Sequence, residues 1–192
     1  MSAKKSHKPV RMLVLVGDQI GSNCLSGGKK LSIVEKFWKY GWDVTIAGVE
    51  SAVQPCPYAV KLGLTAPDID CFVDDVDDIS TFDAVSVLPG PTHNGLLESP
   101  AAMTLLRQAA ESGLVISAWC RGVRVLAKAG VLQGKQVVGH SDDQEMIEQA
   151  GGFFVGHDHP PVTDGTLVTG ARSYYYRAKN ADAIKKAVDA RS

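Results

Sequence analysis

Several features whose presence would settle the class of this 192-residue chain are missing from it. No apolar run approaches the 18 or so residues of a membrane helix. Lys4, Lys5 and Lys8 precede a short strand-like run without the cleavage pattern of a secretory signal. A surplus of one charge is missing too: 20 basic residues stand against 21 acidic ones with no basic stripe, so nothing offers a phosphate backbone a counterion-releasing surface. Cysteine is sparse. Cys24, Cys56, Cys71 and Cys120 are too few and too irregularly spaced for a disulfide scaffold or a CxxC metal site, so each is read as a free thiol. The expectation is a cytoplasmic protein that binds neither nucleic acid nor membrane, with a core that buries roughly 70% of the unfolded surface without staples.

What is present is alternation. Residues 1–9 are polar and basic and are expected to form a disordered leader, with a single domain over 10–192. Arg11-Met-Leu-Val-Leu-Val-Gly17 is a buried strand ending in a glycine turn. Leu31, Val34, Phe37 and Trp38 predict an amphipathic helix over 29–40, stopped by Gly41. Val44–Gly48 supplies the next strand. Prolines at 55, 57 and 67 make 50–80 irregular, and the acidic run Asp74–Asp78 reads as a solvated face because no loop of Ca²⁺ ligands accompanies it. Strands are expected at Ala84–Leu88, Leu114–Trp119, Gln136–Gly139 and Gly165–Thr169. Helices are expected from Ser99-Pro100 to Ser112, after Cys120 to Gly130, from Asp142 to Ala150, and from an Asn180 cap to Ala190. This order predicts an α/β fold with a mostly parallel sheet covered on both faces by helices.

In such a sheet, ligands bind where strands stop. Here those places are Gly17-Asp18, Pro89-Gly90, Trp119-Cys120 and Gly139-His140. Ser117-Ala-Trp-Cys-Arg-Gly122 has the layout of a nucleophile elbow: strand, single nucleophile, glycine, helix. A helix opening at Arg121 aims N–H groups at the sulfur, and Arg121 adds a cation, both of which favour the thiolate. His140, twenty residues on at the end of the next strand, is placed to take or give the proton that thiol chemistry needs.

Phe82-Asp-Ala-Val-Ser-Val-Leu-Pro-Gly90, Ile116-Ser-Ala-Trp-Cys-Arg-Gly122, Ala129-Gly-Val-Leu-Gln-Gly134 and Thr163-Asp-Gly-Thr-Leu-Val-Thr169 carry a resemblance from about Arg11 to Val188. On them the chain resembles the ThiJ/PfpI family of the class I glutamine-amidotransferase-like superfamily, and within it the Parkinsonism-associated protein deglycase branch. The resemblance implies a flavodoxin-like sandwich, a homodimer, no metal or organic cofactor, Cys120 as nucleophile and His140 as its partner imidazole. The departures matter. Relatives hold an acid beside the cysteine on the first loop, where counting back from the second strand finds Lys29 here. Asp18, the only acid in that loop, is the candidate, its other role being that of a turn or cap. The family's Pro-Gly-Gly is Pro89-Gly90-Pro91, which lacks the second glycine's N–H, so an oxyanion hole would rest on the amide of Arg121 with Gly90 or Thr92. A histidine follows the cysteine in the peptidase branch, and Arg121 in its place argues against a protease.

His93 follows the altered turn, either facing the pocket or exposed on a loop. His157 and His159 alternate as on a strand, but no third metal ligand accompanies them, so no metal is expected. Arg172 either holds a substrate carboxylate or pairs with an acid in a dimer interface. The leading functional expectation is a cysteine-dependent enzyme acting on small reactive carbonyl compounds, of the glyoxalase III or deglycase type. Its alternatives are hydration of an isocyanide and a redox-sensing stress protein with an oxidisable Cys120.

Overall fold

The structure is a computed structural model that describes residues 8–25, 33–90 and 95–191. Most of the expected leader, the first turn of the 29–40 helix, and Pro91, Thr92 and His93 lie outside the described residues. The chain runs β1 (Arg11–Val16), β2 (Gln19–Ile20), α1 (Ile33–Lys39), β3 (Asp43–Gly48), β4 (Gln54–Pro55), α2 (Pro57–Lys61), β5 (Cys71–Phe72), β6 (Ala84–Val87) and α3 (Pro100–Glu111). It continues through β7 (Val115–Trp119), α4 (Val123–Ala129), β8 (Gln136–Val137), α5 (Gln144–Gln149), β9 (Phe153–Phe154), β10 (Val162–Asp164), β11 (Leu167–Gly170) and α6 (Ser173–Asp189).

Seven strands form one sheet in the order β10-β11-β7-β6-β1-β3-β5, parallel throughout except for the β10–β11 hairpin. Helices lie on both faces, a flavodoxin-like α/β arrangement. The alternation of β1 shows how the layers arise: Leu13 and Leu15 face one apolar layer, while Met12, Val14 and Val16 face the other. The first layer takes Ala102, Leu106 and Ala109 of α3, Val125 and Leu126 of α4 and Ile147 of α5. The second takes Ile33, Val34 and Phe37 of α1 and Ala181, Ile184 and Val188 of α6. Ser99 caps α3 by accepting the Ala102 N–H at 3.1 Å, with Pro100 at the first helical position, as the sequence predicts.

Four expectations are corrected. Trp38 is half exposed, so α1 buries Ile33 in its stead. The irregular 50–80 stretch contains α2, opened by Pro57 at its N-terminus, where the missing N–H costs nothing. β8 leaves the main sheet and pairs only with β9; the Val138 amide donates to Thr169 Oγ1 at 3.0 Å and ties the following turn back to the end of β11. Finally, α6 starts at Ser173, seven residues before the expected cap. Asn180 is buried inside it with its side chain pressed on Gly170, where an added Cβ would lie 2.1 Å from Asn180 Oδ1.

The contact between β11 and α6 therefore has no room for a methyl group. Gly170→Ala is expected to destabilise the domain by about 1–3 kcal/mol. Equilibrium urea unfolding measures this, and an unchanged midpoint would contradict the packing described.

Candidate active site

The switch point of the sheet lies between β1 and β6, whose connections run outward in opposite directions. The end of β7 is the next position along. Trp119 is still extended, at φ −137° and ψ 157°, but Cys120 turns to φ 49° and opens a 3-10 turn, Cys120–Gly122, that leads into α4. A non-glycine residue in this region costs roughly 1–2 kcal/mol, so the turn must be held from outside. Gly122 shows how: a Cβ there would lie 2.9 Å from the Val87 carbonyl oxygen and 3.4 Å from the Pro89 nitrogen. Only glycine lets the turn sit on the end of β6 and lift the sulfur above the sheet.

Burial pushes the Cys120 thiol above its ordinary value. The Arg121 N–H on the sulfur, the Arg121 guanidinium and Arg124 pull the other way, while the charge of Asp143 adds to the rise. The expected stabilisation of the thiolate by the turn is thus present but outweighed by desolvation. The other thiols differ in kind. Cys24 is fully buried and pushed up to about 12 by that burial, and Cys71 is raised mainly by burial and by the acids around it.

His140 caps a second 3-10 turn, Ser141–Asp143. Its Nδ1 accepts the Asp142 N–H at 3.2 Å and stands 3.4 Å from an Asp142 carboxylate oxygen. The ring meets His157 edge-on, with centroids 4.8 Å apart. Burial first and the Arg121 charge second hold His140 below the ordinary imidazole value, so it is neutral at pH 7. With Nδ1 on the amide, the neutral ring carries its proton on Nε2; with Nδ1–H turned to the carboxylate, Nε2 is free to accept one. Both states have a partner, as proton transfer requires.

Arg121 joins the two turns. Its Nη2 donates to Asp142 at 2.9 Å and its Nη1 lies 3.7 Å from Asp143. Arg124, one turn further along the same helix face, donates through Nε to Asp143 Oδ1 at 2.6 Å. Sequence reasoning missed Asp142, Asp143 and Arg124. The available signal was two arginines three apart after the cysteine and two acids directly after His140, opposite charges on two short turns.

The remaining expected residues are placed as follows. Asp18 directs its carboxylate to the Gly95 amide at 2.7 Å, while its carbonyl accepts from Gln54, making it a strut among three rim loops. Gly90 is buried at the end of β6, and the neighbouring Pro89 carbonyl is taken by the Gly21 amide at 3.1 Å. Arg172 also has positive φ, 46°; it pairs with Asp158 of its own chain and lies 4.6 Å over the Tyr175 ring. Neither His157 nor His159 lies on a strand: His157 accepts the Ser141 N–H at 3.2 Å and His159 sits against the Pro160 carbonyl. Among the described residues, no group of three or more His, Cys, Asp or Glu side chains is arranged to hold a metal ion, and no helix is long and apolar enough to cross a membrane.

The family whose sequence model matches, over residues 11–184, is the DJ-1/PfpI family. Among solved structures, a ThiJ/PfpI domain protein from Brachyspira murdochii superposes with a TM-score of 0.78 at 18% identity, over 96% of this chain and 99% of that one. Drosophila melanogaster DJ-1beta gives 0.68 at 24% identity, over 95% of each chain. A two-domain protein from Anabaena variabilis, with DJ-1/ThiJ/PfpI-like and ferritin-like domains, gives 0.77 at 21% identity over 92% of this chain, which spans 47% of that protein. No curated protein matches the chain.

The left-handed backbone at Cys120 has a consequence for stability. Cys120→Gly is expected to be more stable than Cys120→Ala by about 1 kcal/mol, because glycine alone adopts this conformation without strain. Chemical denaturation of the two variants measures the difference, and equal stabilities would contradict a strained elbow.

Proposed function

The chain belongs to the DJ-1/PfpI family, and from that premise we propose that it is a cysteine-dependent enzyme acting on small reactive carbonyl compounds, with methylglyoxal as a representative substrate. The observation that carries the reading is Cys120: a thiol lifted above the sheet on a left-handed turn, with arginines beside it and a neutral histidine on the adjoining turn. An aldehyde suits this site because a thiol adds to it without a leaving group, and the oxygen that gains charge can be met by backbone N–H groups and a guanidinium.

The steps balance without an outside oxidant. The Cys120 sulfur bonds to the aldehyde carbon, the C=O π pair moves to oxygen, and the thiol proton passes to that oxygen by way of His140. His140 Nε2 then removes the proton from the same carbon to give an enediol and returns it to the neighbouring carbon, while the hydroxyl proton of the first carbon passes to the oxygen of the second. The first carbon is thereby oxidised to a thioester and the second reduced to a secondary alcohol. Water adds to the thioester, the C–S bond breaks, and the thiol regains its proton as the 2-hydroxy acid leaves. Asp142 would receive Nδ1–H of His140 whenever the ring is protonated. Asp18 enters only as the strut that fixes the rim loops. Gly90, Thr92 and the Arg121 amide are the candidate oxyanion donors, and His93 and Arg172 the candidate rim contacts of the substrate.

Cys120→Ser is expected to lower kcat/KM for methylglyoxal by about three orders of magnitude or more. Full turnover in that variant would end the proposal. The pH profile carries a second test. His140 sits below its ordinary value, so kcat/KM should fall only as pH drops below about 6.5, where the base is lost by protonation. Cys120 sits above its ordinary value, so the proton that His140 relays stays on the sulfur and the rate should hold level to about pH 8.5, falling only at higher pH. The acid limb should vanish in His140→Gln. A maximum near pH 6 that declines towards pH 8 would contradict this assignment.

A further inference from the structure

Asp143 is an unusual residue in a conspicuous place. It closes the 3-10 turn that starts at His140, its N–H bonding the His140 carbonyl at 3.0 Å, and only 1% of its side chain is exposed. One carboxylate oxygen, Oδ1, takes Arg124 Nε at 2.6 Å and Nη2 at 2.5 Å, with Arg121 Nη1 at 3.7 Å. The other, Oδ2, is buried without a hydrogen-bond partner. A carboxylate this deeply buried is tolerable only if it is paired, and it is costly to leave half satisfied unless the site uses its charge.

We propose that Asp143 is the positioning residue of this site: it clamps the guanidinium groups of the elbow helix to the His140 turn and sets the charge felt by Cys120. The proposal deepens the reading of Cys120 as a reactive nucleophile, and it does not depend on which substrate the thiol attacks. Through the clamp, the two turns bearing the nucleophile and the imidazole move as one unit. The groups that face Cys120 are Arg121, Arg124, Asp143 and, from the 3-10 turn after β2, Cys24; those that face His140 are Arg121, Asp142, Asp143 and His157. In both lists Asp143 opposes the arginines. Its negative charge disfavours the Cys120 thiolate and favours the His140 imidazolium, while Arg124 does the reverse to the thiol. A clamp that acted only as packing would have no such sign.

The test is the pH dependence of Cys120 alkylation by iodoacetamide, followed by peptide mass spectrometry on the intact chain, with circular dichroism to verify folding. Asp143→Asn should move the alkylation midpoint down by about one pH unit, the size expected for loss of one nearby charge. Arg124→Gln should move it up, and Asp143→Glu, which keeps the charge, should leave it close to the parent value. Opposite signs for the first two support the proposal. An unchanged midpoint in either folded variant, or shifts in the same direction, overturn it. If Asp143→Asn does not fold, the Arg124→Gln shift decides alone: upward supports, unchanged or downward overturns. Because no turnover is read, these titrations can succeed even if methylglyoxal proves not to be a substrate, so the two readings fail separately.

Discussion

A left-handed backbone at Cys120 is the constraint on which the rest of the site depends. An L-residue does not hold φ 49° unless its neighbours over-determine it. Here the buried strand β7 fixes one side, and the contact of Gly122 with Val87 and Pro89 fixes the other. Because the turn is anchored to the end of β6, the thiol stands next to the β1–β6 switch point of the sheet. Because it leads straight into α4, Arg121 and Arg124 come with it. Relaxing the backbone at this point would displace the thiol and both cations together.

The electrostatics are a balance in which burial has the upper hand. Two guanidinium groups and an N–H act on the sulfur, yet the thiol remains above its ordinary value because desolvation is the larger effect and Asp143 works against the arginines. His140 is held neutral by the same burial and by one of the same arginines. At neutral pH the Cys120 thiol and the His140 imidazole are therefore both uncharged. A neutral thiol is a weaker nucleophile than a thiolate, so this state holds down indiscriminate reaction at Cys120.

The elbow was readable because everything it needs lies between Val115 and Gly122: an apolar strand, one thiol and one glycine. The layering of the core was readable for a similar reason, since the period-2 pattern of β1 assigns its residues to opposite faces. His140 was placed at the correct rim by an argument that fails in detail, for β8 belongs to a separate two-stranded pair and reaches the rim through the Val138 bond to Thr169. The start of α6 was hidden by Tyr174-Tyr-Tyr176, an aromatic run whose intrinsic preference is for strands and which tertiary packing overrides. Asp143 was invisible because its meaning lies in Arg124 and Arg121, 19 and 22 positions away in the chain. Asp18 could be put at the switch point from sequence, but its bond to Gly95, 77 residues distant, could not.

The central claim is that the chemistry runs through the sulfur of Cys120 and through no other thiol. It is tested most directly by partial alkylation: limiting iodoacetamide is added, the fraction modified at each of the four cysteines is measured by mass spectrometry, and methylglyoxal turnover is assayed on the same samples. The account predicts that the activity lost equals the fraction of Cys120 modified, and that methylglyoxal protects Cys120 from alkylation. Undiminished turnover with Cys120 fully alkylated would contradict it.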